Sequence, residues 1–152
     1  MPTIHLTTTI NAPTDHVFDL ARSVDFHTES MSITNETAVD GVTSGLLSSG
    51  DRVTWRARHF GIPFTLTVKI TKLDYSNHFR DIMIDGPFAE QIHDHYFEPV
   101  SSGTQMIDVF QFSSPFGVVG TIVDILYLER YLRRLLTVRN NHLRQVAESD
   151  EP

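Results

Sequence analysis

The sequence predicts an α+β fold in which a curved antiparallel β-sheet wraps around a long C-terminal α-helix and leaves an internal hydrophobic cavity. Three observations predict it. Alternating strand patterns follow one another from Asp51 to Phe112 with no helical stripe between them, one long amphipathic pattern follows Ser114, and little other helix is available to cover the sheet.

The elements read in order as follows. Ile4 to Ile10 alternates, with Ile4, Leu6, Thr8 and Ile10 on one side, and its threonine and isoleucine content suits a strand. Pro13 belongs in the first turn of a helix, where its missing N–H costs nothing, and Asp15 sits near the positive end of the helix dipole. Val17, Phe18 and Ala21 then give a buried stripe, so a short helix is expected here. Asp25 to Leu47 reads as loop or short helix, then a strand near Glu36 to Val39 before the turn signals at Gly41 and Gly45. Arg52 to His59 puts Val53, Trp55 and Ala57 on one face, and Gly61-Ile62-Pro63 turns the chain into Phe64 to Ile70 as a hairpin. Phe79 to Asp85, Ala89 to Glu98 and Thr104 to Phe112 complete an antiparallel meander. Ile122, Ile125, Leu128, Tyr131 or Leu132, Leu135, Val138, His142 and Val146 recur at helical spacing and predict the long last helix. Residues 1–147 make one domain, and 148–152 are expected to fray.

Composition narrows the function classes. The chain has 152 residues, 40% of them apolar and 20% charged, as in an ordinary globular domain. It has no cysteine, which removes disulfides, thiolate metal sites and cysteine nucleophiles. A net charge of −7 argues against nucleic-acid binding. Arg130, Arg133, Arg134, Arg139 and Arg144 cluster on the last helix and read as a solvated face. The most apolar run, Phe116 to Leu128, contains Asp124 and is too short for stable membrane insertion. The first residues carry neither a basic nor an apolar leader region, so a cytoplasmic location is expected. A homodimer through the arginine-bearing helix is a further reading of the same segment.

One helix about 10 Å across cannot fill the space under a broad curved sheet, so large side chains or a pocket must occupy the remainder. Strand register puts His93, His95 and Phe97 on one face of their strand and Met106, Asp108, Phe110 and Phe112 on one face of the next, and the large apolar residues mark both as the inward side of the sheet. The expected ligand-binding residues are Trp55, Met83, His93, His95, Phe97, Met106, Asp108, Phe110, Leu128 and Tyr131, and the expected partner is a hydrophobic small molecule.

These pieces together resemble the START/Bet v 1-like (SRPBCC) superfamily of polyketide cyclase, dehydrase and lipid-transport domains, in particular its small bacterial ligand-binding members. The matching residues are Ile10-x-Ala12-Pro13-x-x-x-Val17-Phe18, Gly50-Asp51-x-Val53-x-Trp55, Gly86-Pro87-Phe88, His93-x-His95-x-Phe97-Glu98-Pro99 and Gly103-Thr104, followed by the long last helix. The resemblance implies a helix-grip fold around an apolar cavity for lipids or polyketide-like compounds. It transfers no catalytic set.

His93-Asp94-His95 is the most suggestive chemistry. Two histidines two apart on a strand share a face and can chelate a metal, and with Gly86 and Glu98 they resemble the first motif of cupins. Two spacings of that motif are off by one or more residues and no second motif follows, so the sequence assigns no metal and no cofactor. If an enzyme, the chain would be a cyclase, dehydratase or metal-dependent catalyst using His93, His95 and Asp108, with a His95–Asp108 pair as general base. The binding reading is preferred. No serine sits in a nucleophile elbow and no glycine-rich loop cradles phosphate.

Overall fold

The computed structural model describes residues 2–149. Its elements are β1 (Thr3–Ile10), α1 (Thr14–Ala21), α2 (Val24–Ser30), β2 (Thr37–Gly41), β3 (Arg52–His59), β4 (Ile62–Asp74), β5 (His78–Asp85), β6 (Glu90–Val100) and β7 (Gly103–Ser113). The C-terminal helix comprises α3 (Gly117–Val123), a π-helical turn (Asp124–Leu128) and α4 (Glu129–Ser149). The strands form one seven-stranded sheet in the order β1-β7-β6-β5-β4-β3-β2. All neighbours are antiparallel. Among the described residues no helix is long and apolar enough to cross a membrane.

The alternation read in the sequence is the alternation observed. Along β7 every second residue from Thr104 to Phe112 is buried, and β6 opposes it with His93 across from Phe110, His95 from Asp108 and Phe97 from Met106. Inward-facing side chains thus come in layers, apolar at both ends and ionisable in the middle.

Phe18 of α1 anchors one end of the interior. It is fully buried and meets Tyr75, Phe79 and Phe97 edge-on, with ring centroids 5.3, 5.5 and 5.0 Å away. Such edge contacts add to the burial of the rings themselves. Leu143 and Ala147 of α4 belong to the same cluster. Pro13 stands just before α1 with extended backbone, not inside its first turn. Helix α2 is capped by Ser23, whose Oγ accepts from Phe26 N at 3.1 Å.

Two expectations about the last helix are corrected. Ile122 and Ile125 are 53% and 56% exposed, while Asp124 between them is buried. The π-helical turn explains the difference, because its extra residue rotates everything before it out of phase with the stripe that follows. Asp124 accepts hydrogen bonds from Ser114 N at 2.9 Å and from Ser114 Oγ, which ties the helix start to the end of β7. At the other end α4 runs through Ser149, and Glu148 accepts from Asn11 N at 3.3 Å. The expected frayed tail is therefore helical at Glu148 and Ser149, and residues 150–152 lie outside the described residues.

Candidate functional site: an apolar cavity with a buried histidine–aspartate cluster

Between the concave face of the sheet and the C-terminal helix lies a cavity of about 530 Å³. Trp55, Ala57, Leu66 and Val68 of β3 and β4 form one wall, and Leu128, Leu132, Leu135 and Leu136 of the helix another. Phe60, Phe116 and Val119 also border the cavity while being 76%, 74% and 69% exposed, so its opening to solvent has an apolar rim. The exposed apolar surface continues along the helix through Val118, Ile122, Ile125, Leu126 and Tyr127.

Two groups of polar side chains interrupt this lining. Near Trp55, His27 Nε2 is 2.8 Å from Glu36 Oε1, and the His27 ring lies 4.2 Å from that of Trp55. His59 Nδ1 shares a hydrogen bond of 2.7 Å with the Tyr131 hydroxyl. Burial lowers the His59 pKa, against the pull of Glu36, and burial raises that of Tyr131.

The second group is built by three adjacent strands and the helix. His93 Nε2 donates to Asp108 Oδ1 at 2.7 Å, and His95 Nε2 donates to Asp81 Oδ2 at 2.9 Å. The two imidazoles stack on one another with centroids 3.7 Å apart, and His95 also stacks on Phe79 at 4.0 Å. Asp81 Oδ1 accepts from Gln91 Nε2 at 3.3 Å. From α4, Asn140 Nδ2 donates to Asp108 Oδ2 at 2.7 Å and Arg139 Nη1 stands 3.8 Å from Asp108 Oδ1.

The electrostatics follow from burial opposed by partners. Burial alone would raise the Asp108 carboxyl, but Arg139 and the His93 hydrogen bond hold it well below the usual carboxylate range. Asp81 is likewise below its ordinary value, burial being outweighed by the His95 hydrogen bond and by the charge of His93. His95 is pushed down to about 4, first by burial and then by the neighbouring His93, despite its bond to Asp81. It is therefore a neutral imidazole at physiological pH.

Of the sequence-derived ligand-binding residues, the structure places Trp55, His93, His95, Phe110, Leu128 and Tyr131 on the cavity wall. Four others lie off it. Phe97 and Met106 pack into the core under Phe18, because α1 and the end of α4 fill that part of the concave face. Met83 is half-buried beside Gly86, toward the far end of β5. Asp108 is fully buried behind the two histidines, with no surface on the cavity. The expected His95–Asp108 pair is also re-partnered. The two are opposite in register, but 3.5 Å separates His95 Nδ1 from Asp108 Oδ1, and the short bonds run diagonally, His93 to Asp108 and His95 to Asp81.

Sequence reasoning missed Asp81, Gln91, Arg139 and Asn140. Arg139 is a correction as well as an omission, since it is 4% exposed and not on a solvated face. Its signal was present, four residues after Leu135 on the inward stripe. Asp81 could have been found from its place directly opposite His93 in the β5–β6 pairing.

A sheet gripping one long helix around an apolar, partly polar-lined cavity defines a helix-grip protein. Comparison with solved structures gives the same class, and the fold is of the Bet v 1/SRPBCC type. The chain is similar to TTHA0849 from Thermus thermophilus (TM-score 0.73, 16% identity, 96% of this chain and 99% of that one). It is similar to Ara h 8.0201 (TM-score 0.65, 12% identity, 93% and 97%). It is also similar to major latex-like protein 151 from Panax ginseng (TM-score 0.70, 11% identity, 96% and 97%). No protein-family model matches the sequence, and no curated protein matches it.

Proposed function

We propose that the protein binds a hydrophobic small molecule, a lipid or polyketide-like compound, in the internal cavity and stores or carries it. The observation that carries this reading is the cavity itself. About 530 Å³ of space is walled mainly by Trp55, Phe110, leucines and valines and opens through an apolar rim. That is the size and lining of a small-molecule site, in which a few placed polar groups orient a mostly apolar guest. His93 and His95 at one place on the wall and the His59–Tyr131 pair at another would receive the polar ends of such a guest.

Trp55 is the only tryptophan in the chain and lies on the cavity wall, so its emission reports occupancy directly. Titration with 1-anilinonaphthalene-8-sulfonate should quench Trp55 by energy transfer with one probe bound per chain. Palmitate should displace the probe, and native mass spectrometry of freshly purified protein should show an added apolar mass. A bare chain that leaves Trp55 emission unchanged at saturating probe would refute the binding reading.

A further inference from the structure

We propose that Asp81, His93 and His95 form a binding site for one divalent first-row transition cation on the cavity wall. One ligand atom from each lies within 4.8 Å of the others. Asp81 Oδ2 is 2.9 Å from His95 Nε2 and 4.0 Å from His93 Nδ1. Around an ion with bonds of about 2.0–2.1 Å to nitrogen and oxygen, neighbouring ligand atoms stand roughly 3–3.5 Å apart. Small side-chain rotations therefore bring all three onto one ion. Two imidazoles and a carboxylate form a donor set suited to zinc, iron or their neighbours, not to calcium or magnesium.

What lies behind the histidines strengthens the assignment. Metal-bound imidazoles ordinarily donate their second ring N–H to a carboxylate, which fixes tautomer and orientation. Here one carboxylate serves both rings. Asp108 Oδ1 is 2.7 Å from His93 Nε2 and 3.5 Å from His95 Nδ1, and its other oxygen is held by Asn140. The nitrogens on the opposite edges of the two rings, His93 Nδ1 and His95 Nε2, are the ones near Asp81.

The arrangement also accounts for a buried atom with no hydrogen-bond partner, His95 Nδ1. While Nε2 carries the proton and donates to Asp81, Nδ1 is an acceptor facing an anion. With Nε2 on a cation, the proton moves to Nδ1 and points at Asp108. With both imidazoles neutral, the form that ligates a metal, two carboxylates against the single guanidinium of Arg139 leave the cluster a net negative charge, which favours a cation.

Asp81, His93 and His95 all border the cavity, whereas Asp108 does not. Three protein ligands on an open wall leave at least one coordination position facing the cavity, as in sites where a metal meets water or a guest molecule. The polar end of the cavity's occupant would bind there. The cation site itself does not depend on what the cavity holds.

The test is a titration of chelator-stripped protein with Zn²⁺ by calorimetry, and with Co²⁺ by visible absorption. One equivalent per chain is expected, with Asp81→Asn and His95→Gln each weakening Zn²⁺ at least about 100-fold and His5→Gln, at an exposed position away from the cavity, leaving it unchanged. Asp108→Asn, which alters a positioning residue, should weaken it about 10- to 100-fold and shift the Co²⁺ spectrum. In the unaltered chain, ring ¹⁵N spectra should show Zn²⁺ moving His93 Nδ1 and His95 Nε2, a readout that needs no variant to fold. Absence of stoichiometric Zn²⁺ overturns the proposal. So does Zn²⁺ that moves other histidines, or that binds Asp81→Asn as tightly as the unaltered chain.

Discussion

The buried carboxylate of Asp108 on β7 and the buried guanidinium of Arg139 on α4 face each other at 3.8 Å, joining the middle of the sheet to the middle of the helix. That separation is a charge contact without a direct hydrogen bond, and Arg139 Nη2 has no hydrogen-bond partner among the described residues. Asp108 is instead hydrogen-bonded by His93 and Asn140, so Arg139 supplies the compensating charge while its neighbours supply the donors.

Removing that charge should be costly. Replacing Arg139 by Met keeps apolar bulk but leaves Asp108 uncompensated at zero exposure. Breaking a buried pair from one side typically costs about 3–5 kcal/mol. Urea unfolding of Arg139→Met should show a loss of that order, and Arg139→Met with Asp108→Asn should recover part of it. Arg130→Ala, on the exposed face of the same helix, should stay within about 0.5 kcal/mol of the parent.

Acid should destabilise the fold in two stages. His95 is held neutral down to about pH 4, whereas in the unfolded chain it protonates near its ordinary value of 6.5. Between those values the unfolded state binds the extra proton, so stability rises with pH there and falls on acidification. The groups facing His95 are Asp81 on β5, His93 on β6, Asp108 on β7 and Arg139 on α4. Asp81 and Asp108 are depressed below 3.8, so their contribution is present above the unfolded carboxylate range and is lost as pH falls through it. Denaturation midpoints measured from pH 8 to 3 should therefore drop between 6.5 and about 4, then again below 4. A flat profile down to pH 4 would count against the neutral His95.

Much of this was legible in the chain, because it rests on short-range alternation. Trp55, His93, His95, Phe110 and Asp108 face inward as period two requires. What period two cannot tell is how far along the concave face the cavity extends. Phe97 and Met106 share the inward face with His95 and Asp108, yet Phe18 of α1 fills their end, and only the tertiary path of α1 decides that. Arg139 carried a signal in its spacing, four residues after Leu135, but in a run of arginines its charge outweighed that spacing and it read as solvated. The misplaced Ile122 and Ile125 follow from a π-helical turn that no spacing announces in advance.

The sequence motifs at residues 10–18 and 103–104 gain a shared physical reason. Gly103 has φ +139°, and a Cβ there would stand 2.3 Å from the Ile10 carbonyl oxygen and 2.7 Å from Ala12 N. Beside it, Thr104 Oγ1 donates to the Ala12 carbonyl at 2.8 Å. The β6–β7 turn thus docks backbone against backbone on the β1–α1 corner. Gly103→Ala should destabilise by about 2–3 kcal/mol, combining backbone strain with the clash. Gly45→Ala, at φ +82° with nothing within 4 Å, incurs only the strain and should lose less, as read from paired thermal melts.

The cavity itself can be tested by filling it. Ala57 and Ala147 are both buried alanines, at 7% and 0% exposure, but Ala57 borders the cavity while Ala147 sits in the packed core. A dry cavity of about 150 Å³ can accept benzene, and this one is about 530 Å³. A phenyl group introduced at Ala57 therefore has room, and Ala57→Phe should leave unfolding stability within about 1 kcal/mol of the parent or raise it. It should also weaken 1-anilinonaphthalene-8-sulfonate about tenfold, read by energy transfer from Trp55. Ala147→Phe finds no such room, and overpacking should cost about 1–3 kcal/mol or more while any folded fraction keeps the parent's probe affinity. The two substitutions add the same atoms to equally hidden sites. Equal stability costs would mean that the space beside Ala57 is already filled by the protein's own side chains.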